Sequence, residues 1–198
     1  VSFCIGQPDF PTPVHVQDAA IAAIRGGKHG YTPSAGIDEL RAVVAQDLGA
    51  RRGLDIAPVD VVVGAGAKPF IAYTIASVTD YGVGDEVIYP VPGFPIYESQ
   101  ILANGAVPVP IFLREARGFA FDPAELEAKI TPKTRLLILN TPQNPTGGIL
   151  GPQLAAQECE RVVYPQCLRH NRLRFDALHG VELLAVRRRG ARECKPRG

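Results

Sequence analysis

Apolar and polar positions alternate along the first three quarters of the chain in two different rhythms. Val16, Ala19, Ala20, Ala23 and Ile24 recur at helical spacing, with Thr12 placed to cap the start, Pro13 at the first helical position and Gly26-Gly27 as the stop. Leu40, Val43, Val44 and Leu48 form one face of a second helix that ends at Gly53. Asp60-Val61-Val62-Val63 predicts a buried strand, Gly64 to Lys68 a glycine-rich turn, and Phe70 to Ala76 a helix. A turn at Gly84-Asp85 leads into a strand through Pro90, and Ala106 to Leu113 reads as a further strand, placed near a sheet edge by Pro108 and Pro110. Asp122-Pro123 caps a short helix through Ile130, and Thr131-Pro132-Lys133 turns the chain into the apolar run Leu136-Leu137-Ile138-Leu139. Strands and helices alternating with short turns predict an α/β fold, a mainly parallel sheet with flanking helices.

Two places in this pattern can carry chemistry. The run ending at Leu139 opens into Asn140-Thr141-Pro142-Gln143-Asn144-Pro145-Thr146-Gly147-Gly148, which continues neither strand nor helix. Asn144 is therefore presented just past a strand's carboxyl end, where open α/β sheets bind ligands and where an amide offers both donor and acceptor. A plain Asn-Pro turn closing the strand is the alternative. Strand, Gly64-Ala65-Gly66-Ala67-Lys68, helix is the second place: it aims free N–H groups and the positive end of a helix dipole at an anion such as phosphate. It is neither the dinucleotide fingerprint, since Pro69 stands where a third glycine belongs, nor a P-loop.

Composition narrows the classes. Across 198 residues, 46% hydrophobic and 21% charged is ordinary for a globular protein, and a net charge of +1 gives no reason to expect nucleic acid. No apolar run is long enough to cross a membrane, and a cytoplasmic location is the expectation. The four cysteines lack Cys-x-x-Cys spacing, so neither a disulfide framework nor a zinc site is indicated.

Asn-Thr-Pro-Gln-Asn-Pro-Thr-Gly-Gly resembles the N-x-P-x-N-P-T-G signature of the fold-type I, class I/II aminotransferases, the aspartate-aminotransferase-like branch, which use pyridoxal 5'-phosphate. Other segments resemble the same family. Gly6-Gln7-Pro8-Asp9-Phe10-Pro11-Thr12-Pro13 is similar to its G-x-P-D-F-x-T-P entry, Tyr31 to Arg41 to its Y-x-x-x-x-G-x-x-x-L-R, Gly66-Ala67-Lys68 to its G-[AG]-K, and Gly84 to Tyr97 to its G-D-x-V-x-x-P-x-P-x-[FWY]-x-x-Y.

The resemblance implies roles. Gly66, Ala67 and Lys68 would hold the cofactor phosphate, Phe94 would stack on its ring, and Asn144 would bond its phenolic oxygen. Tyr31 would reach the phosphate of a second subunit, and Gly6 would lie beside the substrate carboxylate. It also implies a homodimer, amino acid and 2-oxo acid substrates, and transfer of an amino group between them. On residue type alone, Phe94 is a core residue at a strand end and Tyr31 a loop aromatic capping the core.

The family's downstream parts have no counterpart. Schiff-base chemistry needs a lysine amine, and none of Lys28, Lys68, Lys129, Lys133 or Lys195 fits that position. Asp176 is the one aspartate after Gly151, in a context unlike the family's pyridinium partner, and no catalytic residue is assigned. After Gly151 come three of the four cysteines, nine scattered arginines and weak periodicity, as in a divergent or frameshifted tail. Cys159, Cys167, His170 and His179 match no closed zinc spacing, and Arg187-Arg188-Arg189 reads as a solvated face.

The expected organisation is an N-terminal arm and small-domain segment over 1–35, an incomplete transferase large domain over 36–150, and the tail over 151–198. The expected function is that of a pyridoxal-phosphate-dependent aminotransferase, inactive as this chain stands. The alternatives are a non-catalytic fragment binding pyridoxal phosphate or another phosphorylated metabolite, a carbon–sulfur lyase of the same fold, and a half-built sheet with an open edge.

Overall fold

The computed structural model describes residues 10–150, and the main chain alone of residues 173–176 and 181–185. Gly6, Lys195, the four cysteines, His170, His179 and the arginine triplet lie outside the described residues. The chain divides into two compact units, Val1–Val63 and Gly64–Gly198.

The first unit carries helices α1 (Val14–Arg25) and α2 (Asp38–Arg52). Pro13 sits at the N-cap of α1, one position earlier than expected, and the Thr12 carbonyl accepts a bond from Gln17 Nε2 instead of Thr12 capping the helix with its side chain. Asp38 and Glu39 in the first turn of α2 complement its dipole, and Gly53, with φ +62°, supplies the left-handed residue that ends it. The expected strand at Asp60–Val63 is not formed. A short 3-10 turn spans Pro58–Asp60, Val62 is exposed, and Val63 N donates to Ala35 O in a loop instead of entering a ladder. Arg41 Nε takes up the Val61 carbonyl, so β propensity here lost to a side-chain contact and the lack of a partner strand.

The second unit is built on a sheet. Its elements are α3 (Ala67–Val78), β1 (Glu86–Val91), α4 (Ile96–Ala103), β2 (Val107–Phe112), α5 (Pro123–Lys129), β3 (Thr134–Asn140), β4 (Leu173–Asp176) and β5 (Val181–Ala185). The strand order is β2-β1-β3-β5-β4. β1 pairs in parallel with both β2 and β3, as expected for strands joined by helical crossovers. Pro108 and Pro110 do lie in an edge strand.

Alternation along β1 and β3 divides the core between two faces. Val87, Tyr89, Leu136 and Ile138 meet Ile71 and Ile75 of α3 and Tyr97 and Ile101 of α4. Ile88, Leu137 and Leu139 meet Ile111, Phe121, Leu126 and Leu150 on the other. Both faces of the strands are covered, which is why they read as continuous apolar runs. Each fully buried Leu or Ile contributes about 1.5–3 kcal/mol.

The tail corrects one expectation. The sheet does not stop at an open β3: β5 pairs antiparallel along it from Leu136↔Ala185 to Asn140↔Val181, and β4 pairs with β5. Asp176 is in β4, separated from β3 by β5. Among the described residues no helix is long and apolar enough to cross a membrane.

Candidate functional site

Lys68 in the first turn of α3 meets Phe94 just past β1, and Gln143 just past β3 bonds Pro92 just past β1, so the N-terminus of α3 and the carboxyl ends of β1 and β3 share one edge of the sheet. Three loops leave from that edge. They are Gly64 to Gly66, which leads into the first turn of α3 with Ala67 and Lys68, Pro92 to Pro95 between β1 and α4, and Thr141 to Gly148 after β3.

The first loop is shaped by Gly66. It is the N-cap of α3 with φ +80° and ψ −176°, a region of the backbone map that is essentially reserved for glycine. No side chain caps the helix, its first turn holds no acidic residue, and the space around Gly66 where a Cβ would point is open. The N–H groups of Ala67 and Lys68 belong to the turn that has no intrahelical acceptors. Together with the helix dipole they make an uncapped donor set suited to an anion. Pro69 forfeits one donor but fits the first turn.

Phe94 occupies the second loop and is half-buried. Its ring meets Tyr97 edge-on, with centroids 5.9 Å apart at 89°. Lys68 Nζ stands 5.9 Å from the centre of the same ring, so the phosphate-type turn and the aromatic come together. Of the lysines in this unit that are described, Lys129 pairs with Glu125 at 3.6 Å, and Lys133 precedes β3 at the far edge of the sheet. Lys68 alone among them has its amine here.

Beneath Phe94, Tyr97 is wholly buried and its hydroxyl has no hydrogen-bond partner among the described residues. Burial pushes its ionisation up to about 12, with the neighbouring Asn140 side chain pulling weakly the other way from a distance or angle short of a proper bond. Asn140, the first Asn of the motif, ends β3 and is itself buried.

Asn144 sits exposed on the third loop. That loop is closed on itself by Gly147 N donating to Gln143 O at 2.7 Å and Gln143 N donating to Gly148 O at 2.8 Å. Leu150 N donates to Thr141 Oγ1 at 3.0 Å and anchors its end. The Gln143 side chain, 5% exposed, reaches out of the loop: its Nε2 donates to Pro92 O at 2.9 Å and to Asn144 O at 3.1 Å. The loop of Phe94 and the loop of Asn144 are thereby joined.

Of the residues singled out from the sequence, Gly66, Ala67, Lys68, Phe94 and Asn144 therefore lie on three loops at one sheet edge. Tyr31 belongs to the first unit and is fully exposed, which does not fit a ring capping a core. Gln143 and Tyr97 carried no assigned role. The only sequence signals for them were an amide inside the signature and an aromatic three residues after Phe94.

The donor set fits pyridoxal phosphate by its chemistry: an uncapped helix N-terminus and a cation for the phosphate, a half-buried aromatic face for the ring, and a free carboxamide for a phenolic oxygen.

Comparison with known proteins identifies the family and the fold. Residues 1–156 match the family described as Aminotransferase class I and II. The chain is 38% identical over 149 residues to a probable aspartate/prephenate aminotransferase of Aquifex aeolicus, covering 75% of this chain and 37% of that protein. It is 42% identical over 144 residues to an aspartate aminotransferase of Geobacillus stearothermophilus, covering 73% and 36%. Among solved structures, a mutant of Thermus thermophilus aspartate aminotransferase superposes with a TM-score of 0.76 at 34% identity, covering 80% of this chain and 43% of that one. The aromatic aminotransferase of Pyrococcus horikoshii OT3 gives 0.75 at 35% identity, covering 80% and 42%. The chain thus spans about two fifths of the length of these relatives. A match over residues 1–156, more than half of the chain, places it in the class I and II aminotransferase family.

Proposed function

We propose that the sheet edge formed by Gly64–Lys68, Phe94 and Asn144 is a pyridoxal phosphate site, and that the protein to which this fold belongs transfers an amino group between an amino acid and a 2-oxo acid. The observation that carries the reading is the meeting of Lys68 with the Phe94 ring across 5.9 Å, since it joins the uncapped start of α3 to an aromatic face. The N–H groups of Ala67 and Lys68 hold the phosphate and Gly66 lets it approach. Phe94 supports the ring from one side, and the Asn144 carboxamide donates to the phenolic oxygen. Tyr31, fully exposed on its own unit, is available to the phosphate of a second subunit in a homodimer. The family resemblance assigns Gly6, which lies outside the described residues, to the substrate carboxylate.

When bound, pyridoxal phosphate supplies an aldehyde that takes up amino groups and a ring that withdraws electrons from the substrate Cα. A lysine must hold the group and move the Cα proton. Among the described lysines only Lys68 is at the edge, and it is committed to the phosphate turn. We therefore infer that this chain binds the cofactor reversibly and does not turn over. The curated relatives named aspartate and aspartate/prephenate aminotransferases support a small dicarboxylic amino acid as the substrate of the parent fold.

Equilibrium dialysis of the purified chain against pyridoxal phosphate tests the reading. Saturable binding that is weakened in Phe94→Ala and Asn144→Ala and reversed by dialysis is expected. Absence of saturable binding, or turnover of aspartate by the chain itself, overturns it.

A further inference from the structure

We propose that Gln143 is a positioning residue: its carboxamide clamps the loop of Phe94 to the loop of Asn144, setting the two contacts on the cofactor ring independently of the contacts on its phosphate. The proposal rests on the pyridoxal phosphate reading of this edge and extends it to a residue that touches no ligand.

Pro92 to Pro95 and Thr141 to Gly148 are neither strand nor helix, so their main-chain groups have no ladder to fix them. Phe94 O accepts from Tyr97 N and Gly148 N donates to Thr146 Oγ1, each within its own segment, whereas Gln143 bonds both loops. Its main chain makes both backbone bonds that close the third loop, accepting from Gly147 N and donating to Gly148 O. Its side chain is 5% exposed and spends one donor on Pro92 O, two residues before Phe94, and another on Asn144 O, the main chain of the ligand residue itself. A carboxamide with two N–H donors is the one neutral side-chain group that can serve two carbonyls from one nitrogen, which an aliphatic side chain of the same length cannot. Both bonds are part-buried, and losing such a bond costs about 0.5–1.5 kcal/mol, so the tie between the two loops loosens when the amide is lost. Lys68 and Gly66 are on a different loop and no bond ties them to Gln143. Phosphate affinity therefore stays put.

Two variants test this. Gln143→Met keeps length and loses the donors, whereas Gln143→Glu keeps shape and regains a donor only when its carboxyl is protonated. Hydrogen exchange of the free proteins comes first. Faster exchange in Gln143→Met at both residues 91–95 and residues 141–148, with residues 64–68 unchanged, is the expected pattern. Loosening confined to residues 141–148 would mean a local loop contact and would overturn the clamp.

The second readout is the ratio of affinities for pyridoxal phosphate and inorganic phosphate. Gln143→Met is expected to lose about tenfold in pyridoxal phosphate affinity, the loss of roughly one hydrogen bond, with inorganic phosphate unaffected. In Gln143→Glu that ratio is expected to recover toward the parent value as pH falls and the buried carboxyl regains its proton. Equal losses for both ligands, or no recovery, overturn the proposal. If the parent chain binds inorganic phosphate but not pyridoxal phosphate while the exchange pattern holds, it is the cofactor reading that has failed and the clamp that stands.

Discussion

Lys68 Nζ lies 5.9 Å from the centre of the Phe94 ring, on the first turn of a helix whose N-terminus carries no other cap. A cation resting on an aromatic face at an exposed position contributes about 0.5–1 kcal/mol. The same ammonium is a point charge beside a turn suited to phosphate. Lys68→Gln is therefore expected to lower Tm by no more than 1–2 °C while weakening inorganic phosphate binding several-fold. That loss should shrink as salt is raised from about 0.05 to 0.5 M, because screening removes the charge contribution from the parent protein too. A phosphate titration at two salt concentrations checks this, and an equal loss at both would assign Lys68 a steric role.

Gly66 holds φ +80° and ψ −176° with open space where a Cβ would be. A side chain at this position meets no neighbour, so the whole cost of Gly66→Ala is backbone strain of about 1–3 kcal/mol. Thermal unfolding should show that loss. Phosphate binding should fall further than stability, since the turn can relieve strain only by redirecting the donors of Ala67 and Lys68. A variant of normal Tm that binds phosphate normally contradicts the role of this conformation.

Tyr97 offers a test with a pH axis. Its hydroxyl is buried without a partner, and a lone buried polar group costs about 1–3 kcal/mol, so Tyr97→Phe should be neutral or stabilising. The folded protein holds the group up at about 12, against 10.0 when free. The unfolded chain thus loses this proton first as pH rises, and the contribution of neutral Tyr97 is intact below pH 10 and is lost between 10 and about 12. Urea unfolding at pH 9 and at pH 11 should give a smaller drop for Tyr97→Phe than for the parent. Equal drops would remove Tyr97 as the source.

The free edge of β2 is closed to further strands. Val107 N and Leu113 N donate to Asp85 O and Val91 O, so odd-numbered residues turn their N–H groups to β1 and even-numbered ones turn outward. The outward positions are Pro108 and Pro110, which have no N–H, and Phe112, whose N–H meets Glu125 Oε1 at 3.5 Å. An edge without donors is a poor template for aggregation. Pro108→Val combined with Pro110→Thr should leave Tm within a few degrees and promote concentration-dependent association. Size-exclusion chromatography across a dilution series checks it.

The elements that were legible from the chain are those in which local pattern and tertiary environment agree. Leu136 to Leu139 reads as a buried strand because both of its faces are covered. Alternate prolines at 108 and 110 read as an edge because only outward N–H groups can be spared. Asp122, whose Oδ1 accepts from Ala124 N at 3.0 Å, caps α5 as its position implied.

What was misread depended on distant partners. Val61 to Val63 has the composition of a strand, yet its carbonyl and N–H groups go to Arg41 and Ala35. α4 was hidden inside an aromatic motif because it presents only Tyr97 and Ile101, four residues apart, as its buried side. Gln143 looks like a surface turn residue until Pro92, 51 positions earlier, is brought beside it. Strands β4 and β5, four and five residues long, are too short to announce that β5 pairs with β3 and β4 with β5. Gly66 and Asn144 were easier to place in the fold, since backbone conformation at the one and exposure at the other are determined by their own segments.

The central claim is that one ligand spans the start of α3 and the loop after β3. The most direct measurement is a nitrogen–proton NMR titration of the labelled chain with pyridoxal phosphate. The account predicts that the main-chain signals of Gly66, Ala67 and Lys68 and the side-chain carboxamide of Asn144 shift together and saturate at a common concentration, with inorganic phosphate moving only the first three. Shifts confined to the surroundings of Lys129 and Lys133, or a turn and a carboxamide that respond with separate affinities, would contradict it.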